Sequence, residues 1–242
     1  AQRAAATAEE VARELANPLA PVTTLAAQVR AEFGNGPDDE RNFQFRLQPS
    51  FFKPLPETSA LLVRTILPLR FNRWPIDENG LGDVTIVPYY VPDLTKSTFA
   101  GFGGALIVPT ANKDSLGSGK WSAGPAAIVA VTGSPLTWGG LAQHVWSFAG
   151  DKARGDISVT TLQPFATAVL GGGWAVAINA EAAYNWKASS ERWTVPVALG
   201  VSKVVEVGGQ YLNLSMSVVR YVERPSFAPS DELRFNVTYV IR

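Results

Sequence analysis

Residues 42–48 carry the sequence NFQFRLQ, in which polar and apolar side chains alternate without an error. Phe43, Phe45 and Leu47 fall on one face of an extended chain, and the other face carries an asparagine, an arginine and two glutamines. This period of two predicts a β-strand that is apolar on one side and polar on the other.

The same period recurs along most of the chain. Residues 174–186 place aromatic side chains at both ends of an apolar face, as expected where tryptophan and tyrosine favour the two interfaces of a bilayer. We therefore expect an all-β chain of about twelve strands. The runs lie at residues 24–33, 41–51, 60–71, 82–91, 99–109, 120–131, 136–148, 157–168, 174–186, 192–204, 210–221 and 232–241.

The length of these runs indicates strands that cross a membrane. Most span about 10–13 residues, and a tilted membrane strand needs ~9–11, whereas strands of soluble proteins average ~5–6. Long polar connections alternate with connections that include tight glycine-rich turns, which is typical of up-and-down barrels. These features predict a transmembrane antiparallel β-barrel with both chain termini on the periplasmic side.

Residues 1–20 differ from the rest of the chain. Thr7 is a good N-cap, acidic residues follow in the first turn, and Asn17-Pro18 ends the pattern, so a short helix is expected. We divide the chain into this N-terminal periplasmic or plug segment and a barrel at 21–242. The sequence leaves open whether the segment is a frayed tail or a helix docked at or in the barrel mouth.

Proline is the main irregularity of the predicted strands. It lacks the N–H that a ladder requires and is normally confined to strand edges or bulges, yet a closed barrel has no edges. We expect bulges or unpaired ladder positions at several of the prolines that fall inside predicted strands. These are Pro49, Pro68, Pro88, Pro109, Pro125, Pro164 and Pro196.

Composition excludes several classes of function. The 242-residue chain has 21 basic and 21 acidic residues, so it lacks the basic surplus of a nucleic-acid binder. It has no cysteine and one histidine, which argues against disulfides, thiolate chemistry and metal sites, and we expect no cofactor. No stretch approaches ~18 consecutive apolar residues, so no transmembrane helix is expected.

The alanine-rich start is expected to be a mature N-terminus after removal of a signal peptide, although a chain cut here for another reason would look the same.

Seven motifs form a set that spans nearly the whole chain: NPLA at 17–20, RTILP at 64–68, GLGD at 80–83, LGSGKWSAGP at 116–125, QHVWSFAG at 143–150, LQPF at 162–165 and WTVP at 193–196. As a set they resemble a family of uncharacterised proteobacterial outer-membrane barrels. Members of this family are labelled transporters or, misleadingly, neuromedin U, and they are akin to the barrel proteins of aromatic degradation. The resemblance implies an outer-membrane barrel, and it carries no established substrate and no catalytic residues. The last four residues, YVIR, depart from barrel insertion signals, which usually end on an aromatic residue, and this leaves open whether a few residues follow.

Charged and amide side chains on the polar strand faces are expected to point into the barrel, because charges are costly on the lipid side. Twelve strands enclose more space than the eight that side chains can just fill, so a lumen is available unless residues 1–20 or inward loops plug it. Basic residues outnumber acidic ones on the inward faces, which weakly favours anionic solutes. The candidate lumen-lining residues are Arg46, Arg64, Arg70, Asp83, Gln163, Asn179, Glu181, Asn185 and Arg234.

The sequence is compatible with three hypotheses for the function. The leading hypothesis is a channel or transporter for small solutes in the outer membrane of a Gram-negative bacterium, in contact with lipid and lipopolysaccharide. The alternative is a structural or docking subunit whose plugged barrel binds an envelope protein through residues 1–20 or the outer loops. A lipid-modifying enzyme would have to use His144, and Ser147 faces away from it, so no catalytic residue is predicted. Residues 117–120, GSGK, lack the full spacing of a phosphate loop and the helix that should follow it, and are interpreted as an outer loop.

Overall fold

The computed structural model describes residues 7–93 and 97–241. These contain an α-helix, α1 (Ala8–Ala16), and a 3-10 turn, Asp114–Leu116. The strands are β1 (Thr23–Asn35), β2 (Glu40–Pro54), β3 (Ala60–Asn72), β4 (Glu78–Leu81), β5 (Val84–Val91), β6 (Thr98–Val108), β7 (Lys120–Thr132), β8 (Leu136–Gly150), β9 (Ser158–Gly171), β10 (Trp174–Ala180), β11 (Ala182–Asn185), β12 (Trp193–Val207), β13 (Gln210–Glu223) and β14 (Asp231–Ile241). No helix within the described ranges is long and apolar enough to cross a bilayer.

The strands form one closed antiparallel sheet. β1 closes it by pairing with β14, from Thr23 opposite Ile241 to Phe33 opposite Asp231. β4 is a short extension paired with β3, and β10 and β11 are two parts of one strand that lies between β9 and β12. Counted in this way, the fourteen strand segments of residues 7–93 and 97–241 form a 12-strand barrel, which confirms the predicted fold class.

The two ends of the barrel differ. At the end where β1 begins and β14 finishes, here called the turn end, the described connecting residues are 55–59, 92–93, 97, 133–135, 172–173 and 208–209. At the opposite end, here called the loop end, they are residues 36–39, 73–83, 109–119, 151–157, 186–192 and 224–230. The three tightest connections all lie at the turn end, as the spacing of the runs predicts.

The alternation along each strand decides which side faces outward. On β2, Phe43 is exposed on the outer wall, whereas Asn42 and Gln44 are buried in the interior. On β10, Trp174 and Ile178 are exposed in the same way. The apolar face therefore covers the outside of the barrel and the polar face lines the inside, the arrangement that a bilayer requires.

The sequence of β8 does not show clearly which face of the strand points outward, and the structure settles this. Trp138 and Trp146 are exposed on the outer wall, and Val145 is buried in the interior. His144 shares the parity of the two tryptophans and therefore lies on the outer face. The odd-numbered residues of this strand from Thr137 to Ser147 point into the barrel.

Most strand prolines disturb the ladder, as expected. Pairing is interrupted without a change of register beside Pro49, Pro88 and Pro125, and Pro196 lies at a register shift. Pro109 is different, because it lies just beyond the end of β6 where the chain turns back on itself. Its predicted place inside a strand is therefore wrong.

Two prolines explain why one strand is divided into β10 and β11. The registers on either side place Pro164 of β9 opposite Ala180 and Pro196 of β12 opposite Glu181. The N–H of Glu181 donates to the Pro196 carbonyl over 3.1 Å, but Pro196 has no N–H to donate in return. Glu181 therefore sits at a break in the ladder.

The N-terminal helix packs against the inner wall at the turn end. Its N-cap is a capping box, in which the Thr7 side chain accepts from the N–H of Glu10 and the Glu10 carboxylate accepts from the N–H of Thr7. The helix buries Val11, Ala12 and Ala16 against inward-facing residues of the wall. These wall residues are Val169, Ala175, Val204, Tyr211 and Val240.

Polar contacts tie the helix to the rim of the turn end. The Glu9 carboxylate accepts the N–H of Gly172 over 3.2 Å, and Arg13 donates to Ser134 Oγ over 2.5 Å. Arg13 also donates to the Glu9 carboxylate over 2.6 Å. This bond lowers the pKa of the Glu9 carboxyl below its usual value, and the bond from the Gly172 N–H lowers it further. Beyond the helix, Leu19 is buried in an apolar cluster on the wall formed by β3, β5, β6, β7 and β8. The segment thus contacts two different parts of the inner wall.

A close backbone contact at Gly103 provides a test of the barrel. A Cβ at Gly103 would lie 1.7 Å from the Pro88 carbonyl oxygen, whereas a Cβ at the adjacent Gly104 would lie 3.4 Å from its nearest neighbour. We expect Gly103→Ala to lower the free energy of unfolding by roughly 1–3 kcal/mol, the usual cost of overpacking, and Gly104→Ala to cost less. The midpoint of urea unfolding in detergent measures both, and equal midpoints would contradict the register of β5 and β6.

Candidate functional site: the barrel interior

A cluster of buried charges lies in the half of the interior nearer the loop end. Arg30 of β1 binds Glu232 of β14 with two hydrogen bonds, of 2.6 Å from Nε and 2.8 Å from Nη2. Arg234 Nη1 donates to Glu181 over 2.6 Å, and its Nε donates to Glu232. The Tyr221 hydroxyl donates to Glu232 over 3.0 Å. Glu232 thus accepts from three side chains and is fully buried.

The register of β1 and β14 explains this arrangement. Arg30 stands directly opposite Arg234, and Glu32 stands directly opposite Glu232. Like charges directly opposite one another are unfavourable, so each arginine bonds to a carboxylate one step along the ladder or across the barrel. Glu181 supplies the carboxylate from across the interior, at the break between β10 and β11.

The cluster has more donors than acceptors. Arg30 Nη1 lies 3.7 Å from the nearest oxygen of Glu181, too far for a hydrogen bond. Arg30 Nη1, Arg234 Nη2 and Arg70 Nε are buried nitrogens without a hydrogen-bond partner among the described residues. Arg46 adds a further cation on β2, with its Nε donating to the Gln44 amide. The interior therefore presents spare N–H donors to an anion or to water.

Three cavities surround α1 in the half nearer the turn end. Cavity A, of about 310 Å³, is lined by residues of β1–β3, which include Arg64 and Gln48, and by residues of β13 and β14. Cavity B, of about 240 Å³, lies against β10 and β12–β14 and includes Gln28 and Arg234. Cavity C, of about 220 Å³, lies against β8–β11 and includes Gln163. The helix therefore leaves polar space on several of its sides.

A fourth space, cavity D, lies near the loop end and has a volume of about 380 Å³. Arg70 and Asp83 line it together with loop 109–119, whose Leu116 is buried. The Asp83 carboxylate accepts from the N–H and the hydroxyl of Ser118, over 2.6 and 2.7 Å, and so holds the loop against the barrel. Arg154 of the next loop donates to the carbonyl oxygens of Asp114 and Gly117, which fixes the loop from its other side.

The predicted lumen-lining residues can now be placed. Arg64, Gln163, Asn179, Glu181 and Arg234 line cavities A to C. Arg70 and Asp83 line cavity D, and the latter also acts as a loop anchor. Arg46 bonds to Gln44 on the inner face of β2. Asn185 lines none of these cavities, because it ends β11 and its side chain accepts the N–H of Lys187 in the following loop.

Sequence reasoning overlooked Arg30, Glu232 and Tyr221. The signal was present for Arg30, since Gln28, Arg30 and Glu32 alternate with small or apolar residues along β1. Glu232 begins the last predicted strand, where facing is hard to assign from a pattern. These residues come together only when the barrel closes, and closure cannot be predicted from a local sequence pattern.

His144 contributes to a polar group on the outer wall. Its Nδ1 lies 2.8 Å from the Thr160 hydroxyl, and the same hydroxyl accepts a hydrogen bond from Trp186 Nε1 over 2.8 Å. Its Nε2 lies 3.4 Å from the Ser158 hydroxyl, and its ring lies 5.5 Å from that of Trp146. Ser147 points to the interior and accepts the N–H of Ile157. No acid contacts His144 among the described residues, so a serine–histidine–acid arrangement is not assembled there.

The buried cluster predicts a large difference between two adjacent carboxylates. Glu232→Gln leaves buried arginines without their counter-charge, and we expect a loss of about 3–5 kcal/mol in the free energy of unfolding. Asp231→Asn breaks a pair with Arg220 in which both side chains are largely exposed, at 45% and 67%, and should cost about 0–1 kcal/mol. Urea unfolding in detergent compares the two variants, and losses of equal size would show that the cluster does not stabilise the barrel.

Comparisons with known proteins agree on the fold. No protein-family model matches the sequence, and no curated protein matches it. Among solved structures, the chain is similar to an outer-membrane channel from Pseudomonas putida F1, with a TM-score of 0.69, 15% identity, and coverage of 91% of this chain and 96% of that one. It is also similar to the NanC porin, with a TM-score of 0.59, 10% identity, and coverage of 91% and 99%.

Both neighbours match over almost their whole length. The similarity in sequence is low, so the likeness concerns the fold, and no comparison identifies the particular family that the motifs resemble. The chain has the fold of an outer-membrane β-barrel.

Proposed function

We propose that the protein is an outer-membrane channel for small solutes. The observation that carries this proposal is a closed twelve-strand barrel whose inner wall is polar and encloses separate cavities beside α1 and beneath loop 109–119. The exposed apolar outer wall would contact membrane lipid and, in the outer leaflet, lipopolysaccharide. The turn end would then face the periplasm, and the loop end the outside.

The charges of the interior favour anionic solutes. Arginines at positions 30, 46, 64, 70 and 234 face glutamates at 32, 181 and 232 and the aspartate at 83, so cations are in slight excess among these groups. Three buried arginine nitrogens have no hydrogen-bond partner among the described residues, and a passing carboxylate or phosphate could accept from them. We therefore expect permeation of anions to exceed that of cations.

A docking subunit with a plugged barrel is the second candidate. It is supported by the helix that packs inside the turn end and by loop 109–119, which is anchored at the other end. In this case residues 1–20 or the outer loops would bind a partner in the cell envelope. Gentle extraction followed by size-exclusion chromatography would detect a stoichiometric partner, and its loss on deleting residues 1–16 would favour this candidate.

Planar-bilayer recording tests the channel directly. The purified protein should produce discrete conductance steps, and deletion of residues 1–20 should enlarge them, since the helix occupies the turn end of the lumen. A folded barrel that gives no steps in either form would refute the channel.

Ion selectivity tests the luminal arginines. Arg64 lines cavities A and C, and Arg64→Glu should shift the reversal potential in a salt gradient toward cation permeation. The control is Arg220→Glu, because Arg220 is exposed at the rim and pairs with Asp231. An unchanged reversal potential for the Arg64 variant would remove this residue from the conducting path.

A further inference from the structure

One side chain lies where the cavities around α1 meet. Leu15 lines cavity A, cavity B and cavity C, which have volumes of about 310, 240 and 220 Å³. Other residues lie between only two of them, such as Asn213 between A and B or Asn179 between B and C. Leu15 is therefore an apolar side chain that separates three cavities of mixed polar and apolar lining.

The position of this divider is fixed by its surroundings. One turn before Leu15, Val11 is completely buried in the wall cluster, and Ala16 is buried beside it. Four residues after Leu15, Leu19 is buried in the cluster on the facing wall. The segment is thus held on both sides, whereas Leu15 itself is half-buried and retains space around its side chain.

The walls of these cavities are rich in amides and hydroxyls. The amides are Gln28, Gln48, Gln163, Asn179, Asn213 and Asn236, and the hydroxyls include Thr167, Ser202, Ser215, Ser217 and Thr238. Asn213 Oδ1 is buried and has no hydrogen-bond partner among the described residues. A buried carbonyl oxygen without a donor is unfavourable, so the site is suited to a ligand that supplies O–H or N–H groups.

We propose that cavities A, B and C form one binding chamber for small hydroxylated solutes, and that Leu15 is the gate that divides it and limits solute size. This inference rests on the proposed channel and names the class of solute for it. The volume of each cavity is several times the roughly 30 Å³ that a water molecule occupies in the liquid. Each cavity is therefore large enough for a short polyol or a small hydroxy acid. The amide and hydroxyl groups of the walls can donate to and accept from the hydroxyl groups of such a molecule.

The first test uses chemical labelling, because it does not require conduction. The chain contains no cysteine, so Leu15→Cys and Val11→Cys each carry a single thiol. A small methanethiosulfonate reagent should modify the thiol at position 15 at least about tenfold faster than the thiol at the packed position 11, since reactivity follows exposure. Ribitol should slow the modification at position 15, and adding Asn213→Leu should remove that protection.

Equal labelling of the two thiols, or the absence of protection by ribitol, would overturn the chamber. This result would not refute the proposed channel function, because conductance is measured in a separate experiment. If the protein gives no conductance steps but ribitol still protects the thiol at position 15, the proposed channel function is refuted and the proposed binding chamber is supported.

The second test measures size selection in liposome-swelling assays. Leu15→Ala should speed the entry of ribose severalfold and admit a disaccharide, whereas Leu15→Met keeps the volume and should behave like the wild-type chain. Val11→Ala is the matched control. It shortens an apolar side chain on the same helix, and Val11 lines none of the three cavities. If Val11→Ala gives the same increase as Leu15→Ala, loosening of the helix explains the effect and the gate is refuted.

Discussion

Every backbone N–H and C=O that lies in a bilayer must find a partner within the protein, because the hydrocarbon core offers no water to replace one. In this chain the demand is met by the pairing of β1 with β14, which converts a row of strands into a closed barrel without edges. The remaining irregularities are local. Strand prolines interrupt the ladder at isolated positions, and close glycine contacts such as that of Gly103 with Pro88 allow the backbones to approach there.

Closure also decides where the charges go. Once the apolar faces cover the outer wall, charged side chains can turn only to the inside, where each must be paired or solvated. The register places arginine opposite arginine and glutamate opposite glutamate at the seam between β1 and β14. Pairing is therefore achieved diagonally and across the interior, with Glu181 entering from the break that Pro164 and Pro196 impose on its strand. The charged cluster is thus a consequence of closure.

The interior has a different character in its two halves. Toward the loop end it contains the cluster of Arg30, Glu232 and Arg234, and loop 109–119 is anchored there beside cavity D. Toward the turn end it is occupied by α1, which leaves polar cavities between itself and the wall. A solute would meet selective charges in one half and an apolar gate with hydrogen-bonding walls in the other, and this order is the physical basis of the proposals above.

The sequence by itself determined the strands, the facing of most of them and the class of fold, because alternation with a period of two is a local property of each segment. The facing of β8 is the exception, because its pattern is ambiguous. The sequence also determined the helix, since the capping box at Thr7 and Glu10 lies within four residues. Local pattern did not reveal the division of one strand at Glu181, the place of Pro109 outside β6, or the partners of Arg30. The tertiary structure alone decided these features, the position of α1 inside the barrel and the meeting of three cavities at Leu15, because each depends on residues far apart in sequence that only closure brings together.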